Sequence, residues 1–375
     1  MWPYWVMFLA PALAATGSKA TRPNPTATLA LSRWPAGWIL SWLSLVLLIG
    51  FRDRVGGDWK AYLGYYVKAS EMDFNDLLQQ PDPGFYLLNW LSAQVDLGVY
   101  GTNLLGGIIF AYGLLTFCRV QPQPWLALAV AVPYLVIVVG MGYSRQAIAL
   151  GLEMLGLAYL GNESKLKFAI CIGLGTTFHK TALALLPIAA LSTTRNRLWT
   201  IIWVSLIGVV LYASFLEKNV ESLYTNYITA DMQSRGALVR SLMNAIPAFI
   251  LVLWRKRFIL SPSQGRLWTI FAIISLFLPA VLLAPSGGTA VDRMALYMLP
   301  IQLFVFSRLP GVFGAQPKLR PAAMLQAGVR DPVSGNAARQ LRMAILLYYS
   351  AVLFVWLNFG DYSTYWVPYR FLPFE

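Results

Sequence analysis

Apolar runs long enough to cross a bilayer recur along this sequence, and they constrain its fold more than any other feature. Spanning takes about 20 mostly apolar residues, and fewer where a helix is sheltered among others. Such runs fall near 1–16, 34–50, 101–118, 124–142, 145–161, 165–178, 180–193, 197–216, 238–254, 267–284, 292–309 and 341–359. Only 12% of the 375 residues are charged, against roughly 25% in a soluble domain, which excludes a water-soluble globule. In lipid the backbone must satisfy its own hydrogen bonds, so continuous apolar runs imply helices. The expected fold class is all-α: a polytopic integral membrane protein with about 12 transmembrane helices. Residues 1–15 lack the basic start of a signal peptide and read as a retained helix.

The formal net charge of +13 invites a nucleic-acid reading, but the placement of the charges argues otherwise. The linkers 17–33, 119–124, 162–167, 194–197, 255–266 and 308–342 hold 18 of the 29 Lys+Arg and only two of the 16 acids, Glu163 and Asp331. Such a bias marks cytoplasmic linkers, with Arg255-Lys256-Arg257 the clearest case. The positive excess is a topology signal and needs no nucleic-acid partner. The alternation closes if residues 83–95 (PGFYLLNWLSAQV) do not cross and instead form a re-entrant or interfacial outer helix. Both termini then lie outside. A single transmembrane domain over 1–375 is expected, with outer loops at 51–100 and 217–237. The cytoplasmic loop 308–342, rich in Pro, Gly and Ala, reads as a flexible connector. Around residues 175–181 the apolar halves are short on both sides, so two crossings or one broken helix both stay open.

Cys118 and Cys171 lie in apolar stretches and His179 is the sole histidine, so neither a disulfide framework nor a histidine-based metal site is expected. The chain has no Walker sequence, no G-x-G-x-x-G, no H-E-x-x-H and no G-x-S-x-G. Nor is there an Asp-x-Asp pair for a nucleotide-sugar metal site. A nucleotide-driven pump and a nucleotide-sugar transferase are therefore disfavoured. No metal and no cofactor is implied. What remains is chemistry, or transport, on a substrate already activated and already in the membrane.

Several charged residues collect at the outer ends of spans, against the bias that governs the rest of the chain, and these are the candidates for function. Arg52 and Arg54 flank a Gly56-Gly57 turn that ends in Asp58. Guanidiniums beside such a turn suit a phosphate or pyrophosphate, although two loop arginines also suit lipid headgroups. Tyr62, Tyr65 and Tyr66 follow on one helical face, as a sugar-binding groove or an amphipathic surface helix. Arg145-Gln146 opens a span in which Glu153 lies within about 20° of Gln146 on the helical wheel. Glu153 then faces the bundle interior, either as a functional acid or in a hydrogen-bond network with Arg145 or Gln146. His179 interrupts two apolar halves and titrates in a usable range for a base. Asp292-Arg293 starts another span, and Pro368-Tyr369-Arg370 follows the last one, placed to close over the same cavity.

Taken in order, these motifs resemble the EpsG family of Wzy-like polysaccharide polymerases. The carriers are Arg54-Val55-Gly56-Gly57-Asp58 with Tyr62, then Pro83-Gly84-Phe85-Tyr86-Leu87-Leu88-Asn89 preceded by Asp82 where the family has Glu. Arg145-Gln146, Phe178-His179-Lys180-Thr181, Asp292-Arg293 with Tyr297, and Pro368-Tyr369 complete the series. The resemblance implies a metal-independent, GT-C-like membrane glycosyltransferase of the bacterial inner membrane with its active site facing the periplasm. It implies glycan transfer from an undecaprenyl-pyrophosphate-linked donor to a lipid-linked repeat-unit acceptor. Catalytic roles then fall to His179, Asp58, Arg145 and Arg293. Substrate contacts fall to Arg52, Arg54, Tyr62, Tyr66, Gln146, Glu153, Asp292, Tyr297 and Arg370. Partners implied are the lipid-linked oligosaccharide, membrane lipid, a chain-length regulator and other assembly proteins. The rival readings are a flippase for lipid-linked oligosaccharide and a ligase to another acceptor.

Overall fold

In the computed structural model of the protein, the described residues are 1–18, 34–161, 164–188, 236–282, 289–314 and 335–374, with short pieces at 20–21, 202 and 332–333. The expected span at 197–216, nearly all of the loop 217–237, and the middle of the loop 308–342 lie outside the described residues. What is described is helical, apart from a two-residue antiparallel pairing of Ala20–Thr21 with Pro332–Val333 and an isolated bridge between Arg52 and Phe371. Four stretches are long and apolar enough to cross a membrane: Gly98–Arg119, Pro262–Leu282, Val291–Phe313 and Asn336–Phe359. Shorter apolar helices cover Ala36–Gly50, Pro124–Gly140 and Ala237–Leu253. The all-α membrane class therefore holds, while helix length alone qualifies four crossings among the described residues, fewer than the twelve read from hydropathy.

The chain forms two compact units, residues 1–180 with 306–375 and residues 181–305, where the sequence showed no boundary. The first unit holds α1 (Trp2–Gly17), α2 (Ala36–Gly50), α3 (Trp59–Ser70), α4 (Phe74–Leu78), α5 (Pro83–Gln94) and α6 (Gly98–Arg119). Next come α7 (Pro124–Ala131), which continues as a π-helix over Val132–Gly140, then α8 (Ser144–Gly161) and α9 (Lys165–Phe178). Pro133 sits at the start of the π segment, where its missing N–H and its ring disturb the regular ladder. Helix α6 is packed between α2 and α8, and α8 lies in turn against α9. The α6–α8 approach is close enough that a Cβ on Gly151 would stand 2.6 Å from the Phe110 Cα, and one on Gly113 would meet the Gly151 carbonyl. Small residues at such crossings let membrane helices pack backbone to backbone. Leu13 and Leu40 remain exposed on the outside of this unit, a surface better suited to lipid than to water.

The second unit contains α10 (Ala237–Leu253), α11 (Pro262–Leu282), α12 (Thr289–Tyr297) and most of α13 (Pro300–Phe306). Trp268 stacks on Phe304 with centroids 3.9 Å apart, and Asn244 bridges the Ala295 carbonyl (2.7 Å) and Gln302 (2.6 Å) in its interior. The chain then re-enters the first unit through α14 (Leu309–Phe313) and α15 (Asn336–Phe359).

In the first unit the contacts sort onto two ends. At one end Arg342 donates to the Ala15 and Thr16 carbonyls (2.9 and 3.2 Å) and to Gln123, and Arg308 donates to Gln121. A cation there also meets the carbonyls at the C-terminus of α1, the negative end of its dipole. At the other end the tail after α15 is laced over the chain start and the loop after α2. Tyr4 donates to the Trp366 carbonyl (2.5 Å), Trp366 to the Ile137 carbonyl (2.8 Å) and Tyr369 to the Leu48 carbonyl (2.6 Å). Residues assigned from charge bias to opposite sides thus occupy opposite ends of one bundle.

Candidate functional site

The second of these ends carries most of the sequence-selected residues of the first unit. Gly56 adopts φ +105°, and a Cβ there would lie 2.5 Å from the Met141 carbonyl, so only glycine lets the loop after α2 seat against the start of α8. The Gly56 N–H donates to the Tyr365 carbonyl (2.9 Å). The turn is therefore a packing device fastened to the C-terminal tail, and its amide does not point to a phosphate. Asp58, exposed, precedes α3, on which Tyr62 is buried and Tyr65 half-buried.

Helix α5 begins at the Asp82-Pro83-Gly84 turn, with proline in its first turn where no intrahelical donor is needed. A side chain at Gly84 would collide with Thr177 Oγ1 and the Phe178 ring, so glycine admits the end of α9 against the start of α5. The Asp82 carboxylate is buried and accepts a hydrogen bond from Arg145 Nη1 at 2.7 Å. The Arg145 guanidinium carbon stands 4.7 Å from the centroid of Tyr65, a cation–π distance. Tyr65 is braced edge-on by Phe85 (5.9 Å) and Tyr86 (5.7 Å). Tyr62 is buried between Phe85 and the start of α8, where the Ser144 backbone hydrogen-bonds its hydroxyl. Burial raises the Tyr62 pKa, and the charge of Asp58 adds to that, so the phenol stays neutral.

Arg145 is thus held on one edge by a carboxylate and on one face by an aromatic ring. Its side chain keeps 28% exposure, and its Nε and Nη2 donors have no partner among the described residues. An arginine fixed in this way presents a preorganised fork to an anion. His179 ends α9 in an extended conformation, its N–H bonded to the Gly175 carbonyl at 3.0 Å, and it is half-buried. The apolar run therefore breaks at His179, next to the Thr177–Gly84 contact.

Other selected residues are placed differently. Arg52 is 1% exposed and turned into the bundle, where it donates to the Ile49 carbonyl (2.5 Å), Asn103 (2.9 Å) and Ser144 (2.7 Å). The expectation of a surface guanidinium is corrected here, because polar partners on α6 and α8 draw it inward. Arg54 stays exposed, with a loose 3.5 Å contact to Asp53. Asp53 also accepts from Tyr100 (2.7 Å) and, through its N–H, pairs with the Arg370 carbonyl (3.1 Å), so residue 370 does reach the loop after α2. Tyr66 makes no ring contact among the described residues, and Tyr65 takes the place foreseen for it. Gln146 and Glu153 are both buried, yet neither Glu153 oxygen has a hydrogen-bond partner among the described residues. The network with Arg145 or Gln146 does not form, since eight and seven residues separate them from Glu153, about 12 and 10 Å along the helix axis.

In the second unit, Asp292 is gripped by both ends of the Arg240 fork, Nε at 3.0 Å and Nη2 at 2.7 Å. Asp292, in the first turn of α12, is thereby tied to α10. Arg293 is exposed in the first turns of α12, and Tyr297 is fully buried. Sequence reasoning missed Arg240 entirely. It sits early in an amphipathic helix, where arginine is unremarkable, and only the fold places it opposite Asp292. The pairing role of Asp82 was equally invisible, 63 residues from its partner.

These features define a helical membrane protein with an arginine–carboxylate–tyrosine grouping at one end of its bundle. The EpsG family matches residues 36–320, and the chain belongs to that family. No curated protein and no solved structure matches it. Family membership points to a polysaccharide polymerase with glycosyltransferase-like activity at a membrane.

Proposed function

We propose that this protein polymerises polysaccharide by moving a glycan from an undecaprenyl-pyrophosphate-linked donor onto a lipid-linked repeat unit, at the periplasmic face of a bacterial inner membrane. The observation that carries this reading is Arg145, whose guanidinium is oriented by Asp82 and Tyr65 while two of its donor positions have no partner among the described residues. A lipid pyrophosphate leaving group needs such a fork, because charge builds on its oxygens as the glycosidic bond breaks. In the reaction the bond from the sugar's anomeric carbon to the pyrophosphate oxygen breaks and one to the acceptor hydroxyl forms. The hydroxyl proton passes to a base, and the pyrophosphate leaves with the bonding electrons. Arg145 neutralises that leaving group, and His179 takes or positions the proton, with Asp58 next in line. Tyr65 and Tyr66, both half-buried, offer rings to the sugar, with Arg370 as a supporting contact. The scheme is metal-independent and GT-C-like, and it calls on no cofactor.

The test is reconstitution of purified protein in vesicles with a lipid-linked repeat unit. A ladder of longer glycans on lipid pyrophosphate supports the polymerase. Movement of the unit across the bilayer without lengthening supports a flippase, and lengthening only of a different acceptor supports a ligase.

A further inference from the structure

The chain leaves its last long helix at Phe359 and turns through Gly360 into a short 3₁₀ segment, Ser363–Tyr365. In such a turn, side chains three residues apart lie one above the other. Ser363 and Trp366 share the inner side and are buried, while Tyr362 and Tyr365 share the outer side, 48% and 52% exposed. The two phenol rings stand within 27° of parallel, with centroids 6.3 Å apart. Asp361 and Thr364 are exposed beside them. The turn is fastened from below. Trp366 donates to the Ile137 carbonyl (2.8 Å), its own carbonyl accepts from Tyr4, and its ring occupies the place of a side chain at Gly142, three residues before Arg145. The Tyr365 carbonyl accepts from the Gly56 N–H (2.9 Å). These anchors come from α1, the π segment and the loop after α2, so the tail crosses the end of the bundle that carries the Arg145 grouping.

We infer that Tyr362 and Tyr365 form a ledge that binds a stretch of glycan chain, each ring stacked on a sugar face, beside the Arg145 grouping. The inference takes its class of ligand from the polymerase reading and adds a second contact with the chain, away from the reacting bond. Tyrosine offers a large flat face and a polar tip, and rings fixed in advance lose little freedom on binding. A carboxylate and a hydroxyl alongside suit the hydroxyl groups of a sugar. No lysine or arginine occurs from 343 to 369, so this part of the tail brings no cation for a phosphate or a lipid headgroup. The ledge also lies beyond residue 320, where the match to the family ends.

The test uses the full-length protein in a bilayer, with polysaccharide purified from the cells that produce the protein as the probe. A nitroxide on Thr364→Cys, both native cysteines being buried, should be relaxed by an aqueous nickel chelate rather than by oxygen dissolved in lipid. Relaxation by oxygen alone overturns the proposal, since the tyrosines would then be interfacial anchors in the bilayer. Binding of the polysaccharide to protein in nanodiscs should weaken roughly tenfold in the double variant Tyr362→Ala, Tyr365→Ala and hold when both positions become Trp. Affinity that is equal in wild type and alanine variant, or absent from both, overturns it as well. Should the alanine variant fail to fold, the nitroxide decides: added polysaccharide must slow its motion, and unchanged motion refutes the site. Neither readout needs chain lengthening. Tyrosine-dependent binding without a glycan ladder would sink the polymerase reading alone, and a normal ladder with tyrosine-independent binding would sink only the ledge.

Discussion

Replacing Arg145 by Lys isolates what the fork contributes, because the charge and the reach to Asp82 survive while the planar group does not. Two losses follow from the geometry. The face-on contact with Tyr65 at 4.7 Å is of a kind worth about 0.5–2 kcal/mol. The second donor edge, turned toward an anion, is a charge-assisted hydrogen bond of about 1.5–3 kcal/mol. Together they remove about 3 kcal/mol from transition-state stabilisation, or about a hundredfold in kcat/KM. The companion change, Asp82→Asn, keeps Arg145 but loosens its orientation. With 28% of the Arg145 side chain and 9% of the Asp82 side chain exposed the pair is partly screened, and Asn still accepts the hydrogen bond, so about 1 kcal/mol and a five- to tenfold loss are expected. The assay is the glycan ladder from lipid-linked repeat units in proteoliposomes, normalised to protein level. If Arg145→Lys stays within about threefold of wild type, the fork contact is the wrong model. If Asp82→Asn proves the more damaging of the two, the carboxylate itself is doing chemistry.

His179→Gln retains hydrogen bonding but cannot titrate. Both Gln and Ala at 179 should abolish chain lengthening at normal protein level with lipid-linked substrate still bound, and near-normal lengthening by Gln would move the base to Asp58. Arg240→Met should leave the Asp292 carboxylate without its bidentate partner and destabilise the second unit by about 3 kcal/mol, seen as a lowered unfolding temperature; an unchanged temperature would show the pair to be incidental. Gly113→Ala places a methyl against the Gly151 carbonyl and should cost about 1–3 kcal/mol through separation of α6 and α8, read by thermal unfolding in detergent. For orientation, a cysteine at Asn75 should be labelled by a membrane-impermeant reagent from outside intact cells and one at Lys256 should not; the opposite pattern would put the Arg145 end in the cytoplasm.

Much of the fold was determined locally. Hydropathy alone dictates helices, because a backbone in lipid has no other way to satisfy its polar groups. The Asp82-Pro83-Gly84 turn announces the start of α5, and the polar break at His179 announces the end of α9, since both depend on residues adjacent in the chain. Of the basic linkers, the ends at Thr16, Gln121–Gln123 and Arg308–Arg342 do meet at one end of the first unit. What the sequence left undecided is which side chains meet. Arg52 and Arg54 are indistinguishable as text, yet one is sealed between α2, α6 and α8 and the other is exposed. Asp82 finds Arg145 across 63 residues, Arg240 finds Asp292 across 52, and Tyr4 reaches the Trp366 carbonyl across 362. Periodicity reports the face a residue occupies on its own helix. The partner of that face is chosen by packing between helices remote in sequence, where glycine contacts such as Gly113 on Gly151 fix the approach and every polar group nearby settles into the geometry that results.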